Sequence, residues 1–273
     1  MILFPNAKIN LGLNIVSKRE DGYHNIETLF YPIPIYDILE ITPSSNNNFF
    51  ELEVIGMAND GKQNLVEKAY RAIAQRYSLP NISVVLKKNI PFAAGLGGGS
   101  ADAAFTLNAL NELFSLKISI EELHKVAASI GADCPFFLYN TPMYAEGIGT
   151  DFSMIDLDLR GKYLVLVKPD IAISTAEAYS GITPQKSDKD IRDIIKLPIS
   201  EWKYFLKNDF EDSLFKKYTR LKEIKELLYS NGATYASMSG SGSSIFGIFD
   251  NPPTKERIIN MISKNEKIYF EIL

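Results

Sequence analysis

The stretch PFAAGLGGGSADAA, residues 91–104, decides the fold of this 273-residue chain. Four of the five positions from 95 to 99 are glycine, and the helix-forming sequence ADAAFTLNALNELF follows at once. A glycine inside a helix costs about 1 kcal/mol relative to alanine, so this composition is favoured where the backbone must approach another group closely. Glycine N–H groups and the free N–H groups of a helix N-terminus both bind anions. The stretch therefore predicts a phosphate-binding loop that leads into a helix.

The composition is that of an ordinary globular protein, with 46% hydrophobic and 23% charged residues. At this length the chain can hold two lobes, which we expect. The net charge of −4 argues against a nucleic-acid partner, since nucleic-acid-binding domains usually carry a basic face. A single cysteine, Cys134, cannot form an internal disulfide or a cysteine metal cage, and is expected to be a buried core thiol. No stretch has the length of a signal peptide or membrane span. We expect a cytoplasmic protein with no membrane partner and no implied protein partner.

Strand-like and helical patterns are mixed along the chain without strict alternation, which favours an α+β fold. Helices are predicted after Asn64 and after Ser119, both plausible caps. Residues 209–232 predict a long helical stretch, followed by two strands around the loop SGSGSS. We place a domain boundary near Asp158, which gives domains of residues 1–158 and 159–273.

Other phosphate-binding designs do not fit the glycine-rich stretch. A Walker loop needs GK followed by Ser or Thr, and no lysine follows these glycines. The dinucleotide fingerprint needs a glycine where Ser100 stands and an acidic residue at the end of the next strand. The HRD and DFG strings of protein kinases do not occur. A flexible linker is disfavoured because a predicted strand and a predicted helix flank the stretch.

Three further segments accompany the loop in the chain, namely PNAKINLGLNIVSKREDGYHNIETLF at 5–30, GADCPFF at 131–137 and SGSGSSIFGIF at 239–249. In this order they resemble the GHMP kinases, the superfamily of galactokinase, homoserine kinase and mevalonate kinase. The resemblance covers nearly the whole chain. It implies a two-lobed fold, with an N-terminal lobe like ribosomal protein S5 domain 2 and a ferredoxin-like α+β C-terminal lobe. Ala93 and Ala94 depart from the pattern, since the family often has glycine at these positions.

The resemblance implies an ATP-dependent small-molecule kinase with Mg²⁺ as cofactor. The pair AKINLGL and DGYH is similar to the branch that phosphorylates the C2 hydroxyl of a cytidylyl methylerythritol, in the non-mevalonate route to isoprenoid precursors. Two alternatives stay open. One is a sibling kinase for homoserine, a sugar or a mevalonate-type substrate, and the other is a non-catalytic nucleotide-binding protein of the same fold.

Two residues are candidates for catalysis, Lys8 and Asp133. From the residues alone, Lys8 would be a solvated lysine on a strand face, and Asp133 would cap a short helix. The resemblance implies that Lys8 lies near the γ-phosphate and the reacting hydroxyl, where it orients the aspartate and stabilises negative charge. It implies that Asp133 accepts the proton of the substrate hydroxyl or orients that hydroxyl for in-line attack.

The remaining site candidates also follow from the resemblance. The nucleotide would be bound by Asn64, Pro91, Gly95, Leu96, Gly97, Gly98, Gly99, Ser100 and Ala101, with Ser100 as the protein ligand of Mg²⁺. The substrate would be bound by Asn10, Tyr23, His24, Thr175 and Tyr179. In this arrangement Tyr23 stacks on the cytosine, His24 bonds its edge, Tyr179 closes the other face and Asn10 binds the polyol. The loop at 239–243 resembles the third superfamily motif, which supports the glycine-rich loop. From its individual residues alone, a plain hairpin between two strands is the alternative.

Overall fold

The computed structural model describes residues 1–45, 49–56 and 63–273. The strands in chain order are β1 (Ile2–Leu3), β2 (Asn6–Lys18), β3 (His24–Tyr36), β4 (Ile38–Pro43), β5 (Phe50–Ile55), β6 (Ile82–Lys87), β7 (Met143–Glu146), β8 (Asp151–Met154), β9 (Tyr163–Lys168), β10 (Tyr235–Met238), β11 (Ile245–Phe249) and β12 (Lys267–Ile272). The helices are α1 (Leu65–Ala74), α2 (Gly98–Leu113), α3 (Ile120–Ile130), α4 (Phe136–Tyr139), α5 (Thr175–Ser180), α6 (Ile191–Ile194), α7 (Ile199–Phe205), α8 (Phe210–Lys217), α9 (Thr219–Ser230) and α10 (Lys255–Ile259). This mixture confirms the α+β prediction.

The described chain divides into two compact units. The first unit comprises Met1–Ala7, Ile35–Phe92 and Gly97–Thr141, and the second comprises Lys8–Pro34, Ala93–Leu96 and Pro142–Leu273. The glycine-rich stretch contributes residues to both units, because the division falls between Leu96 and Gly97. The domain boundary near Asp158 stays a prediction.

The first unit contains a sheet in the order β1–β4–β6–β5, in which β5 and β6 are parallel. Helices α1, α2 and α3 pack against one another on this sheet. Helix α2 is buried on most sides, and small side chains such as Ala101, Ala103 and Ala104 let its neighbours approach closely. The start of α2, which carries the predicted phosphate loop, is therefore fixed by the core of this unit.

The second unit contains an antiparallel sheet in the order β10–β11–β9–β12. Helices α8 and α9 pack on it, and α10 connects β11 to β12. This is the ferredoxin-like β-α-β-β-α-β arrangement expected for the C-terminal lobe. A further sheet has the order β2–β3–β7–β8 and carries the AKINLGL segment on β2.

Local sequence patterns correctly predicted where α1 and α3 begin. The side chains of Asn64 and Ser119 accept hydrogen bonds from the first turns of α1 and α3, as predicted. The stretch 209–232 differs from the prediction, because Tyr218, with φ −121° and ψ 77°, has a non-helical backbone and separates α8 from α9. Its hydroxyl donates a hydrogen bond to Glu177 in α5, a tertiary contact that the local sequence does not encode. Within the described residues, no helix is long and apolar enough to cross a membrane.

Candidate active site

The first turn of α2 presents free backbone donors, as the sequence predicts. Gly97 caps the helix in a left-handed conformation, with φ +70°, and supplies no side-chain cap. The first helical hydrogen bond runs from the Ala101 N–H to the Gly97 carbonyl at 2.9 Å. The N–H groups of Gly98, Gly99 and Ser100 therefore have no hydrogen-bond acceptor within the helix. The turn contains no acidic residue, so the positive end of the helix dipole is available to an anion.

Packing within the protein accounts for Gly95 and Gly98 but not for Gly99. A Cβ atom on Gly95, where φ is +75°, would lie 1.9 Å from the Ser239 carbonyl oxygen. A Cβ atom on Gly98 would lie 2.9 Å from Ile90 Cγ2. Gly99 is exposed, and its Cβ would meet only Leu65 Cδ1, at an ordinary 3.6 Å. Packing requires Gly95 and Gly98, whereas Gly99 leaves an open surface beside the free N–H groups.

Lys8 and Asn10 are buried and joined by a chain of hydrogen bonds in the second unit. Lys8 Nζ donates to Asn10 Oδ1 at 2.6 Å and to the Gly95 carbonyl at 3.1 Å. Asn10 Nδ2 donates to Thr28 Oγ1 at 2.9 Å, and that hydroxyl donates to the Gly12 carbonyl at 2.6 Å. Lys8 is only 3% exposed, which excludes the solvated-lysine interpretation. The ammonium is held beside the backbone of the glycine-rich stretch.

The loop between β10 and β11 supports the same backbone. Ser239 Oγ donates to the Gly95 carbonyl at 2.8 Å, and the Ser244 N–H donates to the Ala94 carbonyl at 3.3 Å. These contacts agree with the expected role of the third superfamily motif. Gly95 thereby accepts hydrogen bonds from both Lys8 and Ser239.

Asn208 anchors that loop from within the second unit. Its amide nitrogen donates to the carbonyls of Met238 and Gly240, each at 2.8 Å, and the residue is buried. Sequence reasoning missed both Asn208 and Thr28. Thr28 lies in the quoted segment at 5–30 and could have been found there as a polar residue on a buried strand. Asn208 has no comparable local signal.

Asp133 lies in a tight turn just before α4 in the first unit. The Cys134 N–H donates to the Gly131 carbonyl at 3.1 Å, and Asp133 is half-buried. The N-cap position of α4 is Pro135 rather than Asp133. Burial raises the pKa of the Cys134 thiol to about 12, against the opposing effect of a hydrogen bond with Ser100. The thiol is a core group, as expected, and it links the Asp133 turn to the first turn of α2.

The other predicted nucleotide contacts have identifiable structural roles. Asn64 Oδ1 accepts the Val66 N–H at 2.9 Å and so caps α1. The carbonyl of the buried Leu96 accepts the Lys8 N–H at 3.0 Å. Pro91 is half-buried, and the N–H of the buried Ala101 is already bonded within α2.

The predicted base-binding residues are partly assembled in the second unit. His24 and Tyr179 stack with ring centroids 4.7 Å apart and an interplanar angle of 21°. Phe210 packs against Tyr179 with the two rings perpendicular and their centroids 4.9 Å apart. Tyr23 is 64% exposed in the DGYH turn, and Thr175 is exposed at the first position of α5. Because His24 and Tyr179 touch, a base would stack on an outer face of this pair.

Comparison with known proteins gives a consistent family assignment. The family described as "GHMP kinases N terminal domain" matches residues 64–141, and "GHMP kinases C terminal" matches residues 195–268. A 4-diphosphocytidyl-2-C-methyl-D-erythritol kinase from Parabacteroides distasonis is 55% identical over 254 residues, which cover 92% of this chain and 93% of that protein. The kinase of the same name from Bacteroides fragilis is 54% identical over 264 residues, covering 96% and 95%.

Solved structures agree with this assignment. A crystal structure of 4-(cytidine 5'-diphospho)-2C-methyl-D-erythritol kinase superposes with a TM-score of 0.83 at 30% identity, covering 99% of this chain and 98% of that one. A homoserine kinase from Cytophaga hutchinsonii shares the fold, with a TM-score of 0.71 at 16% identity over 98% and 94% of the two chains. The resemblance seen in the sequence motifs is confirmed over the whole chain. The chain belongs to the GHMP kinases, in the family of the 4-diphosphocytidyl-2-C-methyl-D-erythritol kinases.

Proposed function

We propose that this protein transfers the γ-phosphoryl group of ATP to the C2 hydroxyl of 4-diphosphocytidyl-2-C-methyl-D-erythritol, giving the 2-phosphate and ADP. The observation that carries the proposal is the similarity, over more than nine-tenths of the chain, to kinases of that name. The buried Lys8–Asn10 pair and the His24–Tyr179 stack supply groups suited to a phosphate, a polyol and a base.

The phosphates of ATP would be bound by the first turn of α2. The N–H groups of Gly98, Gly99 and Ser100 are fixed donors, and hydrogen bonds to charged groups contribute about 1.5 to 3 kcal/mol each. Their orientation is set before the nucleotide arrives, because α2 is packed into the core of its unit. Phosphoryl transfer depends mainly on such positioning and electrostatic stabilisation.

Lys8 would stabilise the charge on the transferring phosphoryl group. Its ammonium is already oriented by Asn10 and the Gly95 carbonyl, so little reorganisation is needed when the transition state forms. Asn10, which lies next to Lys8, would also bind the polyol of the substrate. Asp133 would accept the proton of the C2 hydroxyl, or orient the hydroxyl for in-line attack, a contribution typically worth about 10² to 10⁴ in rate.

The residues of the first turn of α2 fit a Mg²⁺ ion that accompanies ATP. The Ser100 hydroxyl hydrogen-bonds the Cys134 thiol, and its oxygen keeps lone pairs for a cation. Across the part of the chain that the structure describes, no cluster of three metal-ligating His, Cys, Asp or Glu residues occurs. This is compatible with Mg²⁺, which keeps several waters and takes one or two protein oxygens beside the phosphates. When bound, the ion would neutralise charge on the phosphate oxygens.

The base would be recognised by the aromatic pair. A cytosine stacked on His24 or Tyr179 gains about 1 to 3 kcal/mol, and the exposed ring of Tyr23 is available to cover its other face. Thr175, at the start of α5, is a further candidate contact. The proposed pyrimidine specificity distinguishes this protein from kinases of homoserine or mevalonate.

The test is a coupled assay of ADP release with MgATP and each of three acceptors, namely the cytidylyl substrate, homoserine and mevalonate. We expect turnover with the cytidylyl compound alone, and the product identified by ³¹P NMR as the 2-phosphate. Turnover of homoserine or mevalonate without turnover of the cytidylyl compound would contradict the proposal. ATP hydrolysis without an acceptor serves as the background control.

A further inference from the structure

A buried cluster of three charged residues lies below the glycine-rich turn of the first unit. The Lys88 ammonium donates to Asp37 Oδ2 and, at 2.5 Å, to Asp102 Oδ2. The side chains of Asp37, Lys88 and Asp102 are 0%, 8% and 2% exposed. None of these residues belongs to the set assigned to nucleotide, substrate or catalysis. A buried ion cluster is costly to form, so its place beside the phosphate-binding turn calls for an explanation.

Asp37 fixes the chain that leads from β6 towards the glycine-rich stretch. Its Oδ1 accepts the N–H groups of Asn89 at 2.6 Å and Ile90 at 2.8 Å. Ile90 packs directly below the first turn of α2, since a Cβ on Gly98 would lie 2.9 Å from Ile90 Cγ2 and 3.5 Å from Lys88 Nζ. Both oxygens of the Asp37 carboxylate are therefore in use as acceptors.

Asp102 makes the matching connection from α2. It lies two residues beyond Ser100, in the next turn of the helix, and its Oδ2 accepts the Lys88 ammonium. Its Oδ1 is buried and has no hydrogen-bond partner among the described residues. Asp37 and Asp102 thus differ in one respect, because Asp102 has an unused oxygen and Asp37 has none.

We propose that Asp102 is a positioning residue for the ATP phosphates, which acts by tying the first turn of α2 through Lys88 to the segment that Asp37 fixes. This inference rests on the proposed function, because it concerns the nucleotide that the kinase binds. The cluster keeps the N–H groups of Gly98, Gly99 and Ser100 in a fixed position relative to Ile90, so they can bind the phosphates without rearrangement.

The unused oxygen indicates that Asp102 acts through a hydrogen bond rather than through its charge. With all three groups ionised, the cluster has one excess negative charge below an anion site, which is unfavourable for phosphate binding. Asparagine at position 102 would keep an acceptor for Lys88 and place its NH₂ group where the unused oxygen lies. Asp37→Asn leaves one acceptor oxygen where the carboxylate uses two. The variant must therefore lose either the hydrogen bond from Lys88 or those from the N–H groups of Asn89 and Ile90.

The experiment compares the same substitution at the two positions, with calorimetric binding of a non-hydrolysable ATP analogue in the presence of Mg²⁺. Asp102→Asn is expected to bind the analogue within about threefold of wild type. Asp37→Asn is expected to bind it at least tenfold more weakly, with affinity for the cytidylyl substrate changed less than twofold. Thr106→Val is the matched control, because Thr106 is buried one turn further along α2 and donates to the Asp102 carbonyl at 2.7 Å.

Thr106→Val should lower the melting temperature without weakening binding of the analogue. The inference is overturned if both asparagine variants bind the analogue like wild type, or if both lose affinity equally. It is also overturned if Thr106→Val weakens binding as much as Asp37→Asn, which would indicate a general structural effect. Wild-type turnover is measured separately. Failure with the cytidylyl substrate would remove the proposed acceptor, while the analogue affinities would still decide the role of the cluster.

Discussion

Replacing Gly99 by alanine tests whether this glycine is needed for phosphate binding or for the stability of the fold. Gly99 occupies the first turn of α2 and is exposed. Its added Cβ would meet Leu65 Cδ1 at 3.6 Å, an ordinary van der Waals contact, and Gly99 is not among the glycines with positive φ. The folded protein can therefore accept the methyl group where it stands.

The effect on stability follows from helix propensity. Alanine is favoured over glycine in a helix by about 0.5 to 1 kcal/mol, and 1 kcal/mol shifts the melting temperature of a domain of this size by about 2 to 4 °C. Gly99→Ala should leave the melting temperature unchanged or raise it by a few degrees. The methyl group would, however, occupy the surface beside the free N–H groups. Loss of one charge-assisted hydrogen bond to phosphate, about 1.5 to 3 kcal/mol, corresponds to an increase in the KM for ATP of about 10- to 150-fold.

The assay measures the melting temperature by differential scanning fluorimetry and the KM for ATP and for the cytidylyl substrate by ADP release. Gly95→Ala is the contrasting variant, because its Cβ would lie 1.9 Å from the Ser239 carbonyl oxygen in a residue with φ +75°. Left-handed strain of about 1 to 2 kcal/mol and overpacking of about 1 to 3 kcal/mol should destabilise it by about 2 to 5 kcal/mol. An unchanged KM for ATP in Gly99→Ala would refute the proposed phosphate contact. A melting temperature as low as that of Gly95→Ala would refute the packing argument.

Four further predictions concern other parts of the site and loop. Asp133→Asn should lower kcat by about 10²- to 10⁴-fold while calorimetry shows unchanged binding of the ATP analogue; weaker binding with normal kcat would contradict this. Tyr179→Ala removes the ring that stacks on His24 and should raise the KM for the cytidylyl substrate by about 5- to 100-fold, with the KM for ATP as the control. Ala93→Gly should raise the free energy of unfolding by about 0.5 to 1 kcal/mol in urea titration, since Ala93 has φ +48°; a decrease would argue against strain. The pKa of Asp102 is raised from 3.8 to about 7 by burial, so the folded state binds the extra proton, and the unfolding free energy should fall as pH rises through this window. Asp102→Asn should flatten that fall in urea titrations at several pH values, and an unchanged slope would contradict it.

Local sequence signals were sufficient where neighbouring residues determine the structure. Asn64 and Ser119 cap their helices because each side chain reaches an N–H group two or three residues away. The glycine-rich turn was predicted for the same reason, since the backbone freedom of Gly97 and the free N–H groups of α2 are local properties. The family motifs extended this to Lys8 and Asn10, whose contact follows from their spacing of two on one strand.

Contacts between distant parts of the chain were not predictable in this way. The break at Tyr218 divides a continuous helical pattern, and Asn208 holds carbonyls 30 and 32 residues away. The tight turn from Gly131 places Pro135 rather than Asp133 at the start of α4, which the residues around it do not indicate.

The sequence by itself identified this chain as a GHMP kinase through the resemblance of its motifs. It also predicted a phosphate-binding turn at residues 95–100, because glycine content and helix capping act over a few residues. Only the tertiary structure decided which glycines serve packing and which leave room for a ligand. Gly95 and Gly98 are enclosed by Ser239 and Ile90, whereas a Cβ on Gly99 would make only an ordinary contact with Leu65. The fold also brought together the Asp37–Lys88–Asp102 cluster, since burial and hydrogen bonding among residues 14 to 65 positions apart depend on how the whole unit packs.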